Sequence, residues 1–251
     1  MLNQQYLLNL TTISLLLLPI TPVIAQPASN PSGTESEGLS TGVLFKPPPE
    51  EKKPEHTRGA GSRNQGQCSQ ELFSANESNA PLTQTSLIPL VPSSNWGLTT
   101  AQRPTFWINL PETSAQQIVL SVREEGRIFH SQTFISITGK SGLISVQPSQ
   151  DSPPLELDKS YQWAVVLICG DQPTPNDPAI ASWIKRVTIT EPNDLGTPLQ
   201  QVAWYGEKGI WYDAVTTLIE VRQSQPNNQN IRDIWTKFLK SGEINSGLER
   251  Y

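Results

Sequence analysis

The clearest strand in this 251-residue sequence is Tyr161-Gln162-Trp163-Ala164-Val165-Val166-Leu167-Ile168-Cys169. Its odd-numbered positions place large apolar side chains on one face. The even-numbered positions Ala164, Val166 and Ile168 make the other face apolar as well. A strand that is apolar on both faces is covered on both, so this segment predicts a central strand of a sheet.

The residues before this strand indicate the type of sheet packing. Leu157 stands four residues ahead of Tyr161, which opens the strand. This spacing resembles the tyrosine corner of immunoglobulin-like and fibronectin-like sandwiches, where the phenol oxygen hydrogen-bonds to upstream backbone. The pattern favours two packed antiparallel sheets.

Other segments alternate apolar and polar residues, as half-buried strands do. These segments are residues 106–110, 118–122, 129–137, 143–146 and 180–190. Six or seven short strands with frequent turns and no intervening helix are typical of a sandwich. Residues 67–191 are therefore predicted to form an antiparallel β-sandwich of the immunoglobulin or fibronectin type.

Residues 192–251 change to the apolar period of α-helices. Thr197-Pro198 is typical of a helix start, because proline is favoured in the first turn. Gly206 and Gly209 predict one break, and Gln225-Pro226-Asn227 predicts a second. We expect a C-terminal extension of two to three helices packed on the sandwich.

Residues 1–25 have the pattern of a signal peptide. Leu7 to Ala25 carries no charged side chain, and Val23-Ile24-Ala25 fits cleavage after Ala25. The first six residues lack Lys and Arg, which is atypical of a signal peptide. An apolar run of this length is also compatible with a retained membrane anchor, since about 20 residues span a bilayer. The small residue at the cleavage position favours removal, which predicts a periplasmic or extracellular protein.

Residues 26–66 are rich in proline, glycine and serine, with mixed charges. Such a segment buries too little apolar surface to offset its ordering entropy, so we predict a disordered linker.

Cys68 and Cys169 are the two cysteines of the chain. In an oxidising compartment two cysteines favour one disulfide, with two inert thiols as the alternative. The pair alone supplies too few ligands for a metal site.

The net charge of −5 argues against nucleic acid as a partner, because phosphate recognition needs concentrated Lys and Arg. No second apolar segment reaches membrane length, so we expect membrane contact only through an uncleaved leader.

No catalytic or metal-binding pattern stands out. His56 lies in the linker, and His130 stands alone in a predicted strand. Glycoside hydrolysis requires two positioned carboxylates. Acidic residues are available for it, but no pairing is specified: Glu124, Glu125, Asp171, Asp177, Glu207 and Asp213. We therefore assign no catalytic residue, metal or cofactor.

The seven tryptophans give the strongest indication of binding. Trp96 falls in a predicted turn, Trp107 points away from the apolar side of its strand, and Trp211-Tyr212-Asp213 opens a helix. If these residues are exposed, they are candidates for stacking on sugars or anchoring a protein interface. The alternative is that the C-terminal helices cover this face and Trp107 packs against Trp204 or Trp211.

Several motifs together resemble a family of exported cyanobacterial proteins classed as a domain of unknown function. The motifs are Arg58-Gly59-Ala60 with Cys68, Leu90-Val91-Pro92, Gly97-Leu98-Thr99-Thr100-Ala101, Arg103-Pro104-Thr105-Phe106-Trp107, Tyr161-Gln162-Trp163 with Cys169, and Gly209-Ile210-Trp211-Tyr212-Asp213-Ala214. The resemblance implies export and the pairing of the two cysteines. It implies no assigned activity.

The resulting hypothesis is a non-catalytic interaction or ligand-binding module of the cell envelope, with another envelope protein or a glycan as partner. One alternative is an envelope glycan hydrolase that uses carboxylates such as Asp213. Another is an accessory factor for secretion or assembly of surface proteins, docking through a sheet edge or the helical hairpin.

Overall fold

The computed structural model describes residues 42–48, 68, 87–127, 131–190 and 195–244, which all belong to one compact unit, residues 33–251. The predicted signal peptide, most of the predicted linker, His56 and His130 lie outside the described residues. Within them the strands are β1 Ile88–Pro89, β2 Trp96–Thr99, β3 Phe106–Leu110, β4 Gln117–Glu124, β5 Ser131–Ser136, β6 Gly142–Val146, β7 Ser160–Ile168 and β8 Ala179–Arg186. The helices are α1 Pro198–Glu207, α2 Trp211–Ser224 and α3 Gln229–Ser241.

The strands form two sheets that contribute to one large apolar core, and a second, smaller cluster joins Trp96 and Leu98 of β2 to Trp183 of β8. The smaller sheet has the order β1-β3-β6, and the larger has the order β2-β8-β7-β4-β5. Strand β7 lies between β4 and β8, in the central position predicted for it. Buried residues of both sheets and of the helices belong to the same core cluster. The prediction of a mainly β, sandwich-like fold with a C-terminal helical extension is confirmed.

The tyrosine corner is present at the start of β7. The phenol oxygen of Tyr161 accepts a hydrogen bond from the backbone N–H of Glu156 at 3.0 Å. Asp158, with φ of 60°, makes the turn between these two residues. Burial raises the pKa of the Tyr161 phenol, so it remains a neutral partner of the backbone at physiological pH.

Strand β2 departs from the expected antiparallel pattern. Trp96 does not lie in a turn: Asn95 has a φ of 55°, and the strand begins at the next residue. β2 pairs in parallel with β8, with Trp96 opposite Trp183. The strand is only four residues long and includes Gly97, which is unfavourable in strands, so the sequence did not distinguish it from a turn.

The three helices begin and end near the predicted signals. Thr197 and Gln200 form a capping box at the start of α1, with Pro198 in its first turn. Gly209, with φ of 72°, lies between α1 and α2. Asn228 caps α3 by accepting backbone hydrogen bonds. No helix among the described residues is long and apolar enough to cross a membrane.

Residues 42–48, called the strap below, lie against the helices. Val43 and Phe45 are buried. The backbone N–H of Lys46 donates to the carbonyl of Gly206 at 2.9 Å. The prediction of disorder is therefore corrected for these seven residues, because two apolar side chains of this Pro-rich segment pack into a groove of the helices.

Cys68 and Cys169 form a disulfide with a Cα–Cα distance of 4.9 Å. The bridge links residues 101 positions apart and closes a ring that contains β1 to β7. Of the two alternatives, the disulfide is confirmed. Cys68 is the one described residue between the strap and residue 87, and it packs against the core.

Candidate functional site

The five residues singled out from the sequence lie around the start of α2, where this helix packs on β2 and β3. Trp96, Trp107, Trp211 and Tyr212 are all buried. Of the two interpretations that the sequence left open, exposure does not hold for these four side chains. Any binding role for them stays a prediction, and the contacts below define what they do within the fold.

Gly97 of β2 permits the close approach of α2. A Cβ atom at this position would lie 2.9 Å from the Cβ of Trp211 and 3.1 Å from the Cε2 of Tyr212. Any larger residue would push the helix away from the sheet. The position therefore requires glycine for packing rather than for backbone freedom.

Tyr212 of α2 contacts both sheets. Its hydroxyl accepts a hydrogen bond from the indole N–H of Trp163 at 2.7 Å and donates to the carbonyl of Trp183 at 3.0 Å. Phe106 stacks on Trp163 with ring centroids 4.6 Å apart and meets Tyr212 edge-on at 5.6 Å. Burial raises the pKa of the Tyr212 phenol well above its ordinary value, which keeps its proton available for donation.

Trp211 joins the helices to the strap and to the segment at β1. Its indole N–H donates to the carbonyl of Leu90 at 2.9 Å. Its ring stacks on Phe238 of α3 at 5.1 Å and meets Phe45 of the strap edge-on at 4.8 Å. One fully buried side chain thus touches three separate parts of the chain.

Trp107 follows the second of the two interpretations. It lies opposite the core face of β3, yet helix α2 covers it, and its indole N–H donates to the Thr216 hydroxyl at 3.1 Å. The partner that the structure identifies on this helix is Thr216, where the sequence had pointed to Trp204 or Trp211.

Asp213 ties the end of β2 to the first turn of α2. Its Oδ1 accepts a hydrogen bond from the Thr100 hydroxyl at 2.6 Å, and the Thr100 backbone N–H lies 3.3 Å from both carboxyl oxygens. Burial raises the pKa of Asp213, and the hydrogen bonds from Thr100 and Thr99 offset part of that rise. A carboxylate in the first turn also interacts favourably with the helix dipole.

The D213N substitution is expected to remove one pH dependence of stability. Because the folded-state pKa of Asp213 is raised, its proton stabilises the folded protein below the unfolded pKa, and this contribution is lost as pH rises through the folded pKa. As the pH falls from about 7 to about 4, the free energy of unfolding of the wild type should therefore rise relative to that of D213N. Urea unfolding across this range measures the difference.

Asp233 on the exposed side of α3 provides the matched control. The D233N protein carries the same change of a carboxyl to an amide at an exposed position and is measured over the same range. A D213N offset that varies with pH no more than the D233N offset would contradict the assignment of the effect to burial of Asp213.

A cavity of about 220 Å³ opens beside Asp213. Its lining residues are mostly polar: Thr99, Ala101, Arg103, Pro104, Thr105, Tyr205, Tyr212, Asp213, Thr216, Thr217 and Glu220. Asp213 and Glu220 stand two helical turns apart, about 10 Å of rise along α2. Glycosidase carboxyl pairs are about 5–9.5 Å apart. One carboxyl group of this lining, Asp213, accepts a hydrogen bond from Thr100, and the hydrolase alternative stays a prediction.

A second cavity of about 440 Å³ adjoins the disulfide. Its lining combines amide and hydroxyl side chains with Asp171 and the bridge: Ser114, Ala115, Gln116, Gln117, Ser136, Thr138, Ile168, Cys169, Gly170 and Asp171. Among the described residues of this lining, Asp171 is the one carboxylate. Across the described parts of the chain, no three His, Cys, Asp or Glu side chains are placed to hold a metal ion together.

A family model described as Domain of Unknown Function (DUF928) matches residues 58–249, which include the disulfide, both sheets and all three helices. The chain belongs to the DUF928 family. The resemblance identified from the motifs is thereby confirmed at the level of a domain of unknown function. Neither the comparison with curated proteins nor that with solved structures finds a match.

Among the described strands of the DUF928 domain, β5 is an edge strand with an exposed aromatic side chain that the sequence did not single out. Strand β5 is the edge of the larger sheet, and in the described part of the chain it pairs with β4 alone. Phe134 of β5 is 56% exposed, although it lies opposite the buried Val119 of β4. The signal in the sequence was an aromatic residue on the polar face of an alternating strand, but nothing local placed that strand at an edge.

Proposed function

We propose that this DUF928 protein is an exported, non-catalytic interaction module of the cell envelope. It binds an extended segment of another envelope protein, which adds a strand beside β5. The observation that carries the proposal is an uncharged edge strand with an exposed phenylalanine. Strand addition uses the free backbone groups of such an edge for affinity and its alternating side chains for specificity.

The sequence of β5 lacks the usual protection of an edge. Natural edge strands carry lysine, proline or a bulge, or are very short, and these features prevent uncontrolled pairing. The six residues Ser131-Gln132-Thr133-Phe134-Ile135-Ser136 contain neither a charge nor a proline. By contrast, the two residues of β1 include Pro89, and β2, at the opposite edge of the larger sheet, is entirely buried. The edge strand β6 of the smaller sheet also lacks charge and proline, but none of its described large apolar side chains is exposed as Phe134 is.

The face beside β5 determines the chemistry of the partner. Phe134, Val119 and Val166 lie in one row across β5, β4 and β7. An incoming strand would extend this row, so a partner with an apolar residue opposite Phe134 and uncharged neighbours is favoured. Because the six-residue strand pairs over its whole length with β4, a segment of similar length is expected.

Three observations support export. The Cys68–Cys169 disulfide is typical of a protein outside the cytoplasm. Residues 1–25 have the composition of a signal peptide. The motifs of the chain resemble those of exported cyanobacterial proteins.

The F134K substitution is expected to abolish strand addition, because it places a charge on the row that the partner extends and protects the edge. The test is site-specific photo-crosslinking in the native envelope from position 132, which is exposed on β5. We expect a discrete crosslinked product that disappears with F134K. Leu157, 45% exposed and outside the strands, provides the control: L157K should leave the product unchanged.

Two results would overturn the proposal. A product that survives F134K would mean that the contact near position 132 does not depend on the row of Phe134, which contradicts the proposed strand addition. A product composed of two copies of this chain, identified by its mass and peptides, would show that β5 pairs with a second copy of the protein and not with another envelope protein.

A further inference from the structure

The helical part of the protein holds the strap in a groove formed by the end of α1, the start of α2 and the end of α3. We infer that this groove is a peptide-recognition site that the strap occupies in the resting protein. An extended segment of another protein with the pattern Val-x-Phe-Lys takes the place of the strap. This site is separate from the β5 edge.

The side chains of the strap alternate between buried and exposed from Val43 to Lys46, as in a peptide bound along a groove. Val43 and Phe45 point into the groove and are 0% and 5% exposed, whereas Leu44 between them is 38% exposed. The Phe45 ring meets Trp211 edge-on at 4.8 Å, and Trp211 is in turn stacked on Phe238. The groove therefore has an aromatic pocket for the third residue of the pattern.

Backbone contacts fix the register of the strap. The N–H of Phe45 donates to the Ser241 hydroxyl at 2.8 Å, and the N–H of Lys46 donates to the carbonyl of Gly206 at 2.9 Å. The Lys46 ammonium group lies 3.2 Å from the Glu207 carboxylate, which favours a basic residue at this position. These interactions recognise any peptide that presents the same backbone and the same spacing.

Two glycines give the groove room for a peptide backbone. A Cβ atom on Gly206 would collide with the carbonyl oxygen of Leu44, although an alanine is otherwise preferred within a helix. A Cβ atom on Gly209 would lie 2.6 Å from the ring of Pro48. The end of α1 and the turn that follows it therefore leave space for the backbone of a bound peptide.

The organisation of the chain separates the groove from its occupant. Gly206, Glu207, Trp211 and Ser241 fall within the DUF928 match at residues 58–249, whereas the strap precedes it. Residues 49–67 join the strap to Cys68, so the strap is a ligand held by non-covalent contacts and by its connection to the domain. A competing segment displaces a tethered ligand of this kind when its own concentration and affinity outweigh the effective concentration of the tethered ligand.

The test uses the full chain with the strap weakened by V43A and F45A. A fluorescent peptide of residues 41–49 is titrated against this variant and against wild type, with binding followed by anisotropy. We expect saturable binding to the variant at least tenfold tighter than to wild type, where the strap fills the groove. A peptide with alanine at position 45 should bind at least tenfold more weakly, and adding G206A to the variant should abolish binding.

The inference is overturned if the folded variant, with its disulfide intact, fails to bind the peptide or binds both peptides equally. A second protein covers the case in which V43A/F45A does not fold. It carries a protease site within residues 50–57, so that cutting leaves the native strap in place. Excess labelled peptide should then replace the strap, and a strap that stays bound throughout would equally overturn the inference.

Discussion

The W211A substitution is expected to lower the free energy of unfolding by about 3–5 kcal/mol. Trp211 is fully buried, and its removal leaves a cavity between Phe238 and Phe45 and an unpaired carbonyl at Leu90. Because the side chain joins the strap, α3 and the β1 segment, the loss is shared by three parts of the fold. Urea unfolding followed by circular dichroism measures the change.

Trp204 is the matched control for this experiment. It is a tryptophan of the same helical extension, but it is only half-buried and meets Tyr205 edge-on at 5.3 Å. W204A should lower the free energy of unfolding clearly less than W211A does. Equal losses for the two variants would mean that Trp211 does not have the connecting role assigned to it.

The C68S/C169S protein is expected to be less stable than the oxidised wild type by about 4–5 kcal/mol. The bridge spans 101 positions, and a cross-link of this length removes much of the conformational freedom of the unfolded chain. Thermal and urea unfolding should show the loss in full under oxidising conditions. The reduced wild type should then behave like the double variant.

This convergence separates the cross-link from the side chains. If the reduced wild type remained far more stable than C68S/C169S, the serine replacements themselves would be responsible. If all three proteins were equally stable, the bridge would contribute nothing to folding.

Local patterns were sufficient to predict much of the sandwich. The two apolar faces of β7 and the position of Leu157 relative to Tyr161 are properties of one short segment, and both the central strand and the corner are present. The same holds for the helix start at Thr197-Pro198, where the signal and its hydrogen bonds lie within four residues.

Long-range placement accounts for what the sequence did not reveal. Alternation indicated that Trp107 faces away from the core side of β3, but it carried no information that α2 covers this face. Phe134 poses the reverse problem, since its exposure follows from the position of β5 at the edge of the sheet. The strap was missed because composition averages over a window, whereas Val43 and Phe45 act as two individual apolar contacts.

The covalent ring also determines how this protein responds to tension. Residues 68–169 are closed by the disulfide, whereas β8 and the three helices lie outside the ring. A force applied between the strap and the C-terminal helices would extract those outer elements but would not extend the ring. Roughly 340 Å of contour length, at about 3.4 Å per residue, is thereby withheld from stretching. An oxidised molecule under load would lengthen in shorter steps than a reduced one and would retain most of its sheet strands within a closed loop.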